Sequence, residues 1–185
     1  MFFPKKRFYF MRHGETVLNS MGLLAGSTDT PLTEKGRKQA RTAQSVVNKL
    51  PITKIYYSPL IRTYDTAVLA NESKKAELCS CDSLKAWSMG DWEGTPYQEV
   101  RNKFLQGQDP ANGETKNDFR KRIYDGLQNL LKKESSPFLI VAHGEIFSSW
   151  IRCIPIHTNI KDVSNCTVIE IFNNQDVWCA VEIEN

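Results

Sequence analysis

No stretch of this chain approaches the ~20 consecutive apolar residues that a membrane-spanning helix requires. The opening residues also lack an apolar segment of ~7–15 residues followed by a small-residue cleavage site, so a cytoplasmic protein is expected. Charge of one sign is scarce: a net charge of +3 is spread along 185 residues. The tightest basic group, Lys5-Lys6-Arg7, reads as a solvated lead-in to a strand rather than a localisation tag. Neither nucleic acid nor a membrane is therefore expected as a partner. Cysteine is sparse and odd in number, five in all, with Cys79 and Cys81 too close together for a typical metal pair. That pattern predicts free, mostly buried thiols in a reducing compartment. Histidine is rarer still: the chain has three.

What is present is the composition of one ordinary globular domain over residues 1–185, with 41% hydrophobic and 24% charged residues and length enough for a sizeable core. Apolar runs and helical periodicities alternate. Arg7 to Met11 reads as a short buried strand. Thr33 is placed to cap a helix running to about Leu50, with Ala40, Ala43, Val47 and Leu50 on its apolar stripe. Lys54 to Ser58 reads as a second strand, followed at once by a helix with Ser58 as cap and Pro59 in its first turn, ending near Ala70. A third strand spans Glu77 to Cys81, and residues 82–114 read as irregular, rich in glycine and proline. Phe119, Ile123, Leu127, Leu130 and Leu131 mark one face of a helix over 116–133. A buried strand in PFLIVAHG, an apolar helix from Ile146 to Ile154 and two strands joined at Asn173 to Asp176 complete the chain. Strands alternating with helices predict an α/β fold, a mostly parallel sheet with helices on both faces. Ligands in such sheets bind beyond the carboxyl ends of the strands.

Two of the three histidines sit there. The first strand stops at Arg12-His13-Gly14-Glu15, and the later one at His143-Gly144-Glu145. Glycine after histidine permits a sharp turn and brings a backbone N–H near a ligand. Arg12 and Arg62 supply planar forks of donors suited to phosphate or carboxylate, and Asn19 adds an amide. Taken singly, each of these residues has an ordinary structural role open to it. Together they describe an oxyanion cup with a histidine at its floor.

The same residues carry a resemblance that covers nearly the whole chain. RHGET with Asn19 following, GSTDTPLTEKGRKQA, SPLIRTYDTA, GDWEG, the GET at Gly113 to Thr115, VAHGE and NCTVIEI occur in the order found in the histidine phosphatase superfamily, whose fold is phosphoglycerate mutase-like. The resemblance implies a three-layer sandwich in which His13 is the nucleophile and is transiently phosphorylated. It implies that Arg12, Arg62 and His143 hold the phosphoryl group, with Asn19, Gly26 and Gly144 assisting. Two nearby arginines would keep the attacking nitrogen of His13 unprotonated and would spread charge over the transferring phosphoryl oxygens. No metal or other cofactor is implied, because arginine and histidine supply the positive charge.

Two positions depart from the family pattern. The glutamate that serves as general acid, four residues before the first glycine of GDWEG, is replaced by Ala86. A substrate-contacting arginine after Asn19 is replaced by Leu23. Glu93 and Asp91 are the candidates for the displaced acid, with ordinary loop hydrogen bonding as their competing role. A general acid contributes about 10²–10⁴-fold, so its loss need not abolish turnover, and alkyl phosphates would suffer most. Trp87, Trp92 and Tyr97 either line the pocket or anchor the loop, and anchoring is the expectation. The short segment from Thr95 to Asn112 leaves an open mouth, which favours a phosphatase over a mutase. The expected function is a metal-independent phosphatase acting on a small phosphate monoester through phospho-His13. Its alternatives are a catalytically weak phospholigand-binding module, a phosphohistidine or phosphoprotein phosphatase, and a phosphoglycerate mutase. Nothing in the pattern encodes an oligomeric state.

Overall fold

A computed structural model describes residues 4–184 of the chain. Seven strands form one sheet in the order β3-β2-β4-β1-β6-β7-β5. The strands are β1 (Phe8–Arg12), β2 (Lys54–Tyr57), β3 (Glu77–Ser80), β4 (Leu139–Ala142), β5 (Ile156–His157), β6 (Val168–Asn174) and β7 (Val177–Glu182). The helices are α1 (Val17–Ser20), α2 (Glu34–Val47), α3 (Ile61–Ala70), α4 (Tyr97–Leu105), α5 (Lys116–Lys133) and α6 (Gly144–Cys153). β1, β2, β3 and β4 run parallel, whereas β6 is antiparallel to both β1 and β7. The parallel half is the part built from strand–helix alternation, as the sequence pattern requires.

The sheet separates two apolar layers. On one side Tyr9, Met11, Ile55, Leu139 and Val141 pack with Ala40, Ala43, Val47 and Leu50 of α2 and the segment after it, and with Ala67 and Ala70 of α3. On the other, Phe8, Phe10 and Ile140 pack with Phe119, Ile123 and Leu127 of α5 and with Phe147 and Trp150 of α6. Alternate residues of β1 and β4 point to opposite faces, so these central strands must be apolar throughout. β4 is buried at every position, and β1 at all but Arg12. The predicted stripes of α2 and α5 are the buried ones, and Thr33 caps α2, its hydroxyl accepting from the Gly36 amide.

Four local expectations differ from the structure. α3 begins at Ile61 with Leu60 as N-cap and no side-chain cap. Ser58 does not cap it because its hydroxyl is bonded to His143, and Asp29 Oδ1 accepts from the Ile61 amide instead. The stretch 82–114 is not wholly irregular: it holds 3-10 turns at Asp82–Leu84 and Gly90–Trp92 as well as α4. Only Val100 of α4 is buried, too little for a periodic signal. The two-residue β5 was too short to leave a pattern. The five thiols are free, but only Cys166 is buried and Cys153 is exposed. Cys166 lies in a left-handed turn at φ 59° before β6 rather than within a strand.

Candidate active site

β1 and β4 are adjacent, with Arg12 paired to Ala142. Their carboxyl ends therefore deliver His13 and His143 side by side, the ring centroids 5.2 Å apart. The His13 amide still donates to Ala142 O at 3.0 Å, so the first histidine is an extension of the sheet. Asn165 Nδ2 donates to His13 O at 2.7 Å from the segment before β6. β2, on the far side of β4, ends in Ser58, whose hydroxyl lies 2.9 Å from His143 Nε2. Three strand ends and one loop thus hold two rings that retain only 5% of their surface each.

The tautomer of His13 follows from one contact. Its Nδ1 lies 2.7 Å from Gly14 O. A carbonyl can only accept, so Nδ1 carries the proton and Nε2 carries the lone pair. Burial lowers the pKa of His13 most, with Arg62 and then Arg12 adding to the depression against the Gly14 hydrogen bond, and it is pushed down to about 3. Each arginine is thus a smaller cause than burial. His143 is held well below the usual histidine range, again first by burial and then by Arg62, His13 and Arg12. At neutral pH both rings are uncharged.

Arg62 comes from the first turn of α3 and is 2% exposed. Its Nη1 and Nη2 donate to Thr28 O at 2.8 Å and Gly26 O at 2.7 Å. Two of its five donor hydrogens are used in this way, and three remain for a ligand. Burial lowers its pKa to about 10 against the opposing pull of Asp29 and Glu93; it stays a cation at neutral pH. Arg12 Nη1 donates to Val163 O at 2.8 Å. Arg12 Nε, Arg62 Nε and His143 Nδ1 are buried without a hydrogen-bond partner among the described residues. An unsatisfied buried polar atom costs about 1–3 kcal/mol, so three at one site mark a place built for a polar ligand rather than for packing.

These residues line a cleft of about 490 Å³. Its polar wall is Arg12, His13, Asn19, Arg62, His143, Gly144 and Asn165, and its apolar wall is Leu23, Leu24, Ala25, Ala86, Trp87, Met89 and Tyr97. Gly26 also borders it. Asn19 is the N3 residue of α1, where its Oδ1 takes part in a capping box with Thr16; its Nδ2 amide remains a donor on the wall. His143 is the N-cap of α6 and has no side-chain cap bond, so the positive end of that helix opens on the cleft at Gly144.

The glycines serve other ends than a ligand-facing amide at Gly14. The Gly14 N–H donates to Thr66 Oγ1 at 3.0 Å. A Cβ on Gly14 would stand 2.6 Å from Gly36 O, and one on Gly36 would stand 2.1 Å from Glu15 O. The two glycines let the turn after β1 lie directly on the first turn of α2. Gly26 has φ +53°, and a Cβ there would meet the Glu93 carboxylate at 2.4 Å.

Glu93 and Asp91 do not line the cleft. Glu93 accepts hydrogen bonds from Ser27 N, Ser27 Oγ, Thr28 N, Thr28 Oγ1 and Met89 N. Burial alone would raise its pKa, but those donors outweigh it and hold the carboxyl below its usual range. Its place is that of a clamp, gripping the loop whose carbonyls in turn hold Arg62. Asp91 is exposed and bonded to Asn112 Nδ2. The aromatic residues divide: Trp87 lines the cleft, stacks on Phe119 at 5.2 Å and donates to Glu114 O. Trp92 is core, and Tyr97 is exposed at the mouth. Sequence reasoning missed Ser58, Thr66 and Asn165 as partners of the site. All three lie within segments that carry the family pattern, but only the fold pairs them with the histidines.

The family model of the histidine phosphatase superfamily (branch 1) matches residues 8–182. A probable phosphoglycerate mutase of Serratia proteamaculans is 30% identical, over 93% of this chain and 87% of that one. An adenosylcobalamin/alpha-ribazole phosphatase of Salmonella typhimurium is also 30% identical, over 96% and 90%. Among solved structures, a mycobacterial glucosyl-3-phosphoglycerate phosphatase complexed with VO3 superposes with a TM-score of 0.81 at 24% identity, over 96% of this chain and 98% of that one. At that identity the likeness establishes the fold.

Proposed function

Because this chain belongs to the histidine phosphatase superfamily, branch 1, we propose that its cleft hydrolyses small phosphate monoesters through a phosphohistidine on His13, without a metal. The observation that carries the reading is the Nδ1–Gly14 O contact, which leaves Nε2 of a neutral ring as the nucleophile. Arg12, Arg62 and His143 surround the reacting phosphoryl group, with the Asn19 amide and the α6 N-terminus beside it. Nε2 attacks phosphorus as the ester P–O bond breaks. The arginine charges and the helix end offset the charge on the equatorial oxygens in both halves of the reaction. Water then breaks the P–N bond, releasing inorganic phosphate and returning His13 to its neutral form.

Named phosphatases among the relatives favour hydrolysis of small substrates such as alpha-ribazole phosphate and glucosyl-3-phosphoglycerate. The apolar wall of Leu23, Leu24, Ala86, Trp87 and Met89 suits a leaving group with an uncharged face. No helix among the described residues is long and apolar enough to cross a membrane, and the five free thiols favour action in the cytoplasm. The probable mutase among the relatives supports a second reading, phosphoryl return to another hydroxyl. One experiment separates the two. Protein-bound, acid-labile and base-stable phosphoramidate and free inorganic phosphate are followed after mixing enzyme with a ³²P-labelled monoester. Label that enters His13, is absent from His13→Ala and leaves as inorganic phosphate supports the phosphatase. Isomerised phosphoglycerate without net phosphate release would favour the mutase, and an unlabelled protein would sink both.

A further inference from the structure

Ala86 stands on the apolar wall, where its methyl can deliver no proton. Three carboxylates line the same cleft: Glu15, Asp162 and Glu145. Glu15 is spoken for. Its Oε2 takes a hydrogen bond from Lys35 Nζ at 2.7 Å and its Oε1 one from Thr33 Oγ1 at 2.9 Å, and these hold its pKa below the usual carboxylate range. Asp162 lies 4.0 Å from Arg12 Nη1 with 85% of its side chain in solvent, a screened ion pair at the rim. Glu145 has neither a hydrogen bond nor an ion pair among the described residues.

Its position is set by the fold. Glu145 follows His143 by two residues in the first turn of α6. That turn packs on the phosphate-binding arginine: a Cβ on the intervening Gly144 would lie 3.6 Å from Arg12 Cδ and Nε. Burial raises the pKa of Glu145, Arg152 lowers it, Asp162 raises it, and Arg12 and Lys116 lower it by less. The side chain is nonetheless open to water. The carboxyl can thus meet a ligand in the cleft, while the protein mass around the mouth displaces the bulk water that would solvate its charge and so raises its pKa. The α6 dipole favours the carboxylate by about 0.3–1 kcal/mol. A bound phosphate dianion works against the carboxylate, since like charge raises the pKa. The proton is therefore best retained when substrate is in place.

We propose that Glu145 is the general acid–base of this enzyme, replacing from the His143 side the proton donor that is missing at Ala86. The proposal rests on the phosphohistidine reading above. In the first half-reaction His13 Nε2 forms a bond to phosphorus, the ester P–O bond breaks, and the leaving oxygen takes the proton of the Glu145 carboxyl. In the second, the Glu145 carboxylate removes a proton from water as the water oxygen attacks phosphorus and the P–N bond breaks. Inorganic phosphate leaves, and both side chains are restored.

The test compares an alkyl phosphate with 4-nitrophenyl phosphate, whose leaving group needs no proton, in the native protein, Glu145→Gln and His13→Ala. Glu145→Gln is expected to slow alkyl ester turnover about 10²–10⁴-fold and aryl turnover less than tenfold. It should also remove the fall in alkyl turnover on the alkaline side, where the acid form is titrated away. Adding Ala86→Glu to Glu145→Gln restores a proton donor on the opposite wall and is expected to recover alkyl turnover. Because this rescue is a gain, it cannot be mistaken for misfolding. Equal slowing of both esters, or no slowing, with His13→Ala inactive and the phosphoenzyme still trapped, would overturn Glu145 as the acid and leave the phosphatase reading intact. Turnover that survives His13→Ala would overturn both.

Discussion

The two ends of the sheet bury polar side chains in opposite ways. At the carboxyl ends, Arg12 Nε, Arg62 Nε and His143 Nδ1 lie buried without partners among the described residues. At the opposite end of the strands, Glu134 closes α5 and is well engaged: Tyr56 donates to its Oε1 at 2.5 Å, Lys54 Nζ lies 3.2 Å away, and Lys6 Nζ reaches its carbonyl at 2.6 Å. Burial pushes the Glu134 carboxyl up, but the hydrogen bonds from Tyr56 and Lys54 prevail and keep it below the usual range. Burial foremost, and then the same contact with Glu134, push the Tyr56 hydroxyl up from its ordinary value, so it remains a donor. The satisfied groups hold the fold together; the cleft is marked by three unsatisfied groups gathered at one place, whereas Thr30 Oγ1 and Arg120 Nε, outside its lining, are also buried without a partner among the described residues.

Substitutions at the two ends should therefore have separable effects. His13→Ala is expected to reduce turnover about 10⁴–10⁶-fold with unchanged or higher stability; steady-state assay beside a denaturation curve checks both. Glu134→Ala is expected to do the converse, costing about 1–3 kcal/mol by leaving the buried Tyr56 hydroxyl without its acceptor while leaving kcat/KM near the native value. If Glu134→Ala lost activity in proportion to nothing else, the division would fail.

Acidification sharpens the comparison. His13, held down to about 3, and His143, held well below the usual histidine range, have native pKa values below the unfolded value, so as pH falls below about 6.5 the unfolded chain binds protons that the native one does not. Stability then falls as pH drops through 6.5, by up to about 1.4 kcal/mol per pH unit for each histidine. Between pH 7 and 5 the carboxylates of Glu134 and Glu93, already ionised, add little to the slope. Urea midpoints over that window should slope steeply in the native protein and flatten in His13→Gln. A slope unchanged by the substitution would mean that the buried ring is not held neutral. The smallest effect belongs to Asp91→Asn, expected within ±0.5 kcal/mol in stability and unchanged in turnover, because the exposed Asp91 carboxylate bonds the Asn112 side chain and lies outside the cleft.

Much of this was legible along the chain. The stripes of α2 and α5, the apolar continuity of β4 and the strand-end positions of His13 and His143 are local or periodic features. They reflect a side chain's relation to its own helix or strand. What could not be read were relations between segments. Ser58 looks like a helix cap until His143, 85 residues away, takes its hydroxyl. Glu93 looks like an acid beside the site until five donors from residues 27–28 and 89 converge on it. Gly14 and Gly36 look like separate turn residues, yet Gly14 leaves room for the Gly36 carbonyl and Gly36 for the Glu15 backbone.

The sequence by itself determined the α/β architecture and the family, and singled out Arg12, His13, Arg62 and His143 as the candidate quartet. Periodicity and strand-end placement are written in nearest neighbours, and burial of an apolar face follows from them. Only the tertiary structure decided which nitrogen of His13 is free, which arginine hydrogens remain for a ligand, and which carboxylate faces the cleft unpaired. Those properties depend on hydrogen-bond partners and on the exclusion of water, and both are supplied by residues distant along the chain.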